Sequence, residues 1–145
     1  MLVKSNFQIG LDAFNNGEYA IALKEWLFLA EGGDATAQFS LGLMYKTGQG
    51  VKQNNETAFI WFKLAAEQGY ANAQSNLGVM YDNGEGVPEN DKTAVMWYTK
   101  AAEQGHALAQ YNLGVMYANG EGVPENDKTA VMWYTKAAEQ DDADA

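Results

Sequence analysis

The chain repeats itself every 36 residues, and that period limits its fold more than any other feature of the sequence. Gly42, Gly78 and Gly114 are spaced by 36, as are Trp61, Trp97 and Trp133, and as are the pairs Gly48/Gly50, Gly84/Gly86 and Gly120/Gly122. The run NLGVMY from Asn76 to Tyr81 returns from Asn112 to Tyr117, with a looser copy from Leu41 to Tyr45. A period in this range marks an array of small supersecondary units, none of which can bury its apolar face alone.

Each unit reads as two helices. In the first, Ala73, Leu77, Met80 and Tyr81 share one helical face. Gly84, Gly86 and Pro88 then stop it, since paired glycines and a proline suit a helix interior poorly. Asn90 or Asp91 is placed to cap the next helix by accepting from an orphan backbone N–H. There Ala94, Trp97, Tyr98 and Ala101 form the apolar face, Lys92, Thr99, Lys100 and Glu103 point elsewhere, and Gly105 ends the helix in a left-handed turn. Stacked hairpins give every stripe a neighbour and build one continuous core. Gly78, Ala101 and Ala102 are small where two helix axes must come close.

The run from Leu77-Gly78 through Tyr81, Gly84, Gly86 and Val87, followed by Ala94, Trp97-Tyr98 and Lys100 to Gly105, resembles the Sel1-like repeat, a relative of the tetratricopeptide repeat. Three copies in register span Gly33 to Gln140. The resemblance implies an all-α, right-handed α/α solenoid of about four antiparallel helical hairpins, with repeats at 34–69, 70–105 and 106–140 and an acidic tail at 141–145. Residues 1–33 differ. Gly10, Ala13, Phe14, Gly17, Tyr19, Ala20, Leu23 and Trp26 keep the two-helix pattern around a short turn at Asn15-Asn16-Gly17, which resembles an ordinary tetratricopeptide hairpin. It is read as a fourth hairpin covering the open end, for about eight helices in one domain of 145 residues.

Composition narrows the function. A net charge of −10 opposes nucleic acid, whose phosphates require clustered Lys and Arg, and equally opposes an anionic membrane surface. It suits a basic ligand or simple solubility. With no cysteine, disulfides, thiolate zinc sites and thiol nucleophiles are excluded, and the redox compartment stays open. The start from Met1 to Asn6 lacks the apolar core of a signal peptide, and no stretch reaches the length of a membrane span. A soluble protein is expected, cytoplasmic or exported with its leader removed.

The resemblance places the first helix of each hairpin on the concave side of a curved array, where a peptide or partner protein would lie. The implied groove positions are Thr36, Phe39, Leu43, Lys46 and Thr47 in the first unit. Asn72, Ser75, Val79, Asp82 and Asn83 follow in the second, and Leu108, Tyr111, Val115, Ala118 and Asn119 in the third. Asn76–Gln104 and Asn112–Gln140 are identical except for Asp82 against Ala118, and the nearby differences are Tyr70/His106, Asn72/Leu108 and Ser75/Tyr111. Either a duplication boundary lies there, or the groove was retuned while the scaffold was left alone. Asparagines able to pair with a peptide backbone, beside aromatic anchors, suit modest-affinity peptide binding.

Catalytic and metal chemistry find little support. His106 is the single histidine, which supplies neither a triad nor a metal site, and reads as a helix-start residue. Glu85, Glu89 and Asp91 lie in or near loops without supporting ligands. Asp82-Asn83-Gly84-Glu85-Gly86 lacks the spacing and terminal bidentate Glu of a calcium loop and reads as solvated. Some cysteine-rich members of the resembled family are linked to penicillin binding and β-lactam hydrolysis, and Lys46-Thr47-Gly48 matches one relevant triplet. However, no Ser-x-x-Lys supplies a nucleophile, the triplet falls at a helix end, and the family cysteines are missing. The Gly-x-Gly pairs follow helices rather than strands and lack the Lys-Ser/Thr of a phosphate loop. The Asn55-Glu56-Thr57 sequon is read as chance. No catalytic residue, cofactor or metal is expected.

The third unit ends differently, as Gln140-Asp141-Asp142-Ala143-Asp144-Ala145, with no glycine where Gly69 and Gly105 close the earlier units. The face around Val131, Trp133, Tyr134 and Ala138 is then expected to lack a neighbour. Two functions follow: an adaptor whose groove captures a partner protein, or a self-associating piece that dimerises through that face. A β-lactam-directed enzyme is the remote third.

Overall fold

The computed structural model describes residues 3–144, with side chains described as far as Gln140. Eight helices occupy that span: α1 (Asn6–Asn15), α2 (Tyr19–Glu31), α3 (Ala35–Thr47), α4 (Asn55–Glu67), α5 (Ala71–Asn83), α6 (Asp91–Glu103), α7 (Ala107–Asn119) and α8 (Asp127–Asp144). No strand occurs among the described residues. Each helix packs chiefly on the helices before and after it in the chain, which makes the molecule an α-solenoid. The tail expected at 141–145 continues the backbone of α8 as far as Asp144; its side chains, and Ala145, lie outside the described residues.

Local chemistry explains the boundaries. Of the two candidate caps for α6, Asn90 performs the role, accepting from the Thr93 N–H at 3.1 Å. Asn54 and Asn126 do the same for Thr57 and Thr129 at 3.1 and 3.0 Å, so every second helix of a repeat starts alike. Gly84 closes α5 in the left-handed region at φ 68°. Gly78 faces the Tyr98 ring so closely that a Cβ there would lie 2.5 Å from its nearest carbon. Close approach of the two helix axes therefore depends on the missing side chain.

A buried polar ladder was not foreseen from the sequence. Gln38, Gln74 and Gln110 are buried, and each donates its amide at 3.1 Å to a carbonyl of the preceding hairpin, from Ala30, Ala66 and Ala102. Each also accepts from the glutamine ending its own unit: Gln68 at 2.9 Å, Gln104 at 2.8 Å and Gln140 at 2.8 Å. Both ends of every amide are thus used, as burial requires, and successive units are locked in register.

Candidate partner-binding groove

The predicted groove residues separate into two groups. On the first-helix face, Leu43 edges a cavity of about 190 Å³ with Leu11, Phe14, Trp26, Ser40 and Met44. Val79 and Val115 are half-buried at the same register of the next two units. Lys46 donates to the Asn76 side chain at 3.4 Å, and the Thr47 hydroxyl donates to the Leu43 carbonyl at 2.8 Å. Asn83 and Asn119 are exposed and donate to Glu85 and Glu121 at 3.0 and 2.9 Å. Ala118 and Thr36 are half-buried.

The second group faces the junctions between units. Phe39 packs its ring, tilted, against Phe62 and against Tyr70 of the following unit, at 5.7 and 5.1 Å between ring centroids. Ser75, at the same register, is only 2 % exposed, which removes it from the groove: its short side chain lies beneath the packed neighbours. Tyr111 completes the series, and with no unit beyond it in the structure it is 53 % exposed, resting on Tyr134 at 5.5 Å. Asn72 accompanies this group, meeting the His106 ring of the next unit at 2.9 Å. Leu108 is 58 % exposed.

Leu108 and Tyr111 therefore join the proposed self-association face. With Ala107, Tyr134, Ala137 and Ala138 they line an open depression of about 630 Å³ on α7–α8. Val131 is exposed on α8. Trp133 does not belong there. It is 8 % exposed and packs into the core, with the Lys136 ammonium over its ring at 5.0 Å. The sequence reading misplaced it because the repeat pattern marks apolar positions without saying which of them face the next unit.

Electrostatics concentrate at Asp82. Burial raises its carboxyl above the usual range; a hydrogen bond from the Tyr98 hydroxyl at 3.3 Å opposes the rise, while the charges of Asp91, Glu121 and Glu89 add to it. Burial, then the Asp82 charge and hydrogen bond, raise the Tyr98 phenol, opposed by Asn112. His106 is indeed a helix-start residue. Its Nδ1 accepts the Ala109 N–H at 3.2 Å, capping α7, and burial lowers its pKa.

Fold and repeat geometry define a helical-repeat solenoid, and the Sel1 repeat model matches at residues 35–70, 71–106 and 107–142. The chain belongs to the Sel1 repeat family. No curated protein matches it. Among solved structures it is similar to the protective antigen c5321 of uropathogenic Escherichia coli, with TM-score 0.89 and 40 % identity, covering 93 % of this chain and 30 % of that one. A Sel1 repeat protein from Oxalobacter formigenes gives TM-score 0.87 and 39 % identity, over 92 % of this chain and 55 % of the other. Cysteine-rich protein B of Helicobacter pylori gives 0.63 and 26 %, over 81 % and 84 %. The chain thus spans about a third to a half of the first two relatives. Sel1-repeat proteins are in general non-enzymatic protein-interaction scaffolds. No helix among the described residues is long and apolar enough to cross a membrane.

Proposed function

We propose that this chain is an interaction module that holds a peptide or partner segment along its first-helix face. The observation carrying this reading is the open apolar cavity at Leu11, Phe14 and Leu43, at one end of a row that continues through Val79 and Val115. Such a cavity accepts a side-chain anchor, and the exposed asparagines Asn83 and Asn119 flank the row with donors and acceptors. The test is affinity capture with wild type against the variant Leu43→Glu/Val115→Glu, its folding verified by circular dichroism. A partner held by wild type and lost by the variant supports the reading; a partner held equally by both overturns the site.

A second reading is favoured by the exposure of Leu108, Tyr111 and Val131 together on α7–α8. That face pairs with a second copy. Sedimentation analysis should then show a concentration-dependent mass that falls to the monomer in Leu108→Asp/Tyr111→Asp. A strictly monomeric wild type at high concentration rules it out.

A further inference from the structure

Along the first-helix face, one register links each hairpin to the next. Gly10, Gly42 and Gly78 each lie against a ring of their own second helix, from Trp26, Phe62 and Tyr98. The residue four positions after each glycine stands across the junction from the residue two positions before the next one. These pairs are Phe14 with Ser40, Lys46 with Asn76, and Asp82 with Asn112. The backbone places all three alike, and only their side chains differ.

At the first junction, Phe14 and Ser40 leave the apolar cavity of about 190 Å³ that Leu43 edges. At the second, Lys46 is half-buried and donates at 3.4 Å to the neutral side chain of Asn76. At the third, Asp82 is half-buried and accepts from the Tyr98 hydroxyl at 3.3 Å, while Asn112 bonds the same tyrosine. Neither charge is neutralised, since the ion pairs among the described residues are Lys4–Asp12 and Lys63–Glu67. The acids Asp91 and Glu121 bring carboxylate oxygens within 4.8 Å of that of Asp82, so its surroundings add negative charge. The row thus reads, in order, an apolar hole, a cation and an anion. Partly desolvated charges of opposite sign in a fixed order select a partner by complementarity and set its register.

We infer that the occupant of this face is an extended peptide segment carrying, in order, a large apolar residue for the Leu43 cavity, an acidic residue for Lys46 and a basic residue for Asp82. This rests on the groove reading proposed above and adds the chemistry of the ligand to it. Packed helices stand about 8–10 Å apart, which an extended chain covers in about three residues, so the three side chains recur at about every third position. The order is a property of this chain's own substitutions at one register. No single repeat contains it, because each junction contributes one element.

The probes are fluorescein-labelled synthetic peptides read by anisotropy at low salt: Phe-Gly-Ser-Asp-Gly-Ser-Lys, its reverse sequence, and both with Asp and Lys exchanged. In one chain direction, wild type should bind the peptide with the acid in the middle at least about tenfold more tightly than its exchanged counterpart, with the preference shrinking as salt is added. The variant Lys46→Asp/Asp82→Lys should invert that preference. Each substitution installs a residue that the same register already carries in the neighbouring unit, so the variant keeps the fold. Leu43→Glu should abolish binding of every peptide. No binding of any peptide to wild type, or the same preference in wild type and the exchanged variant, overturns the charge order. Loss of binding in Leu43→Glu alone would leave the groove reading standing without that order, whereas binding indifferent to Leu43→Glu overturns both.

Discussion

The second and third repeats are nearly the same sequence in two different environments. Val95 is 8 % exposed and Val131 61 %. Tyr98 is buried while Tyr134 is half-buried, and Ala102 is buried while Ala138 is exposed. In the second repeat, α7 covers these side chains; in the third, no described element follows α8. A residue's burial in a solenoid is thus a property of the next unit as much as of its own. The same comparison accounts for the position shared by Phe39, Ser75 and Tyr111, which lies against a neighbour in the first two units and open in the third.

The largest expected effect that sharpens this contrast is at the tyrosines. Tyr98→Ala should cost about 3–5 kcal/mol, by leaving a cavity beside Gly78, and Tyr134→Ala less than half of that. Urea unfolding followed by circular dichroism measures both, and equal losses would break the comparison. Next come the valines. Val95→Ala removes two buried methyl groups and should cost about 1.5 kcal/mol, whereas Val131→Ala should stay within about 0.5 kcal/mol of wild type.

The smallest effect separates His106 from its register partner Tyr70, which makes no side-chain cap. Burial lowers the His106 pKa in the folded chain below the ordinary 6.5. The unfolded chain then binds more protons than the folded one as pH falls through this window, so stability is full above pH 6.5 and declines below it toward the depressed folded value. The ring is only partly buried, so solvent screening keeps this loss small. His106→Tyr, which copies Tyr70, should remove this dependence below about pH 6.5 in thermal melts; an unchanged profile would show that His106 is not its source.

Most of the fold was legible because periodicity reports local structure directly. The 36-residue spacing marked the hairpins, the Asn and Gly positions marked their ends, and Gly78 marked a close approach of two helix axes, which in the structure brings it against Tyr98. The candidate site was legible only in part. Leu43, Val79 and Val115 lie on one face because helical phase places them there. Ser75 and Trp133 were misassigned because phase alone does not distinguish a groove from a junction. The glutamine ladder and the Asp82–Asp91–Glu121 cluster were missed because each joins residues from different segments.

The sequence by itself determined that this chain is an array of helical hairpins, roughly where the turns between helices fall, and which residues are apolar enough to be buried. These follow from backbone capping and from the 3.6-residue period, both of which act within a few turns of chain. Tertiary structure decided which apolar side chains are covered and which stand open, and which charges meet across a junction. Those outcomes depend on the position of the next hairpin, a rigid-body relation between units that no stretch within one unit encodes.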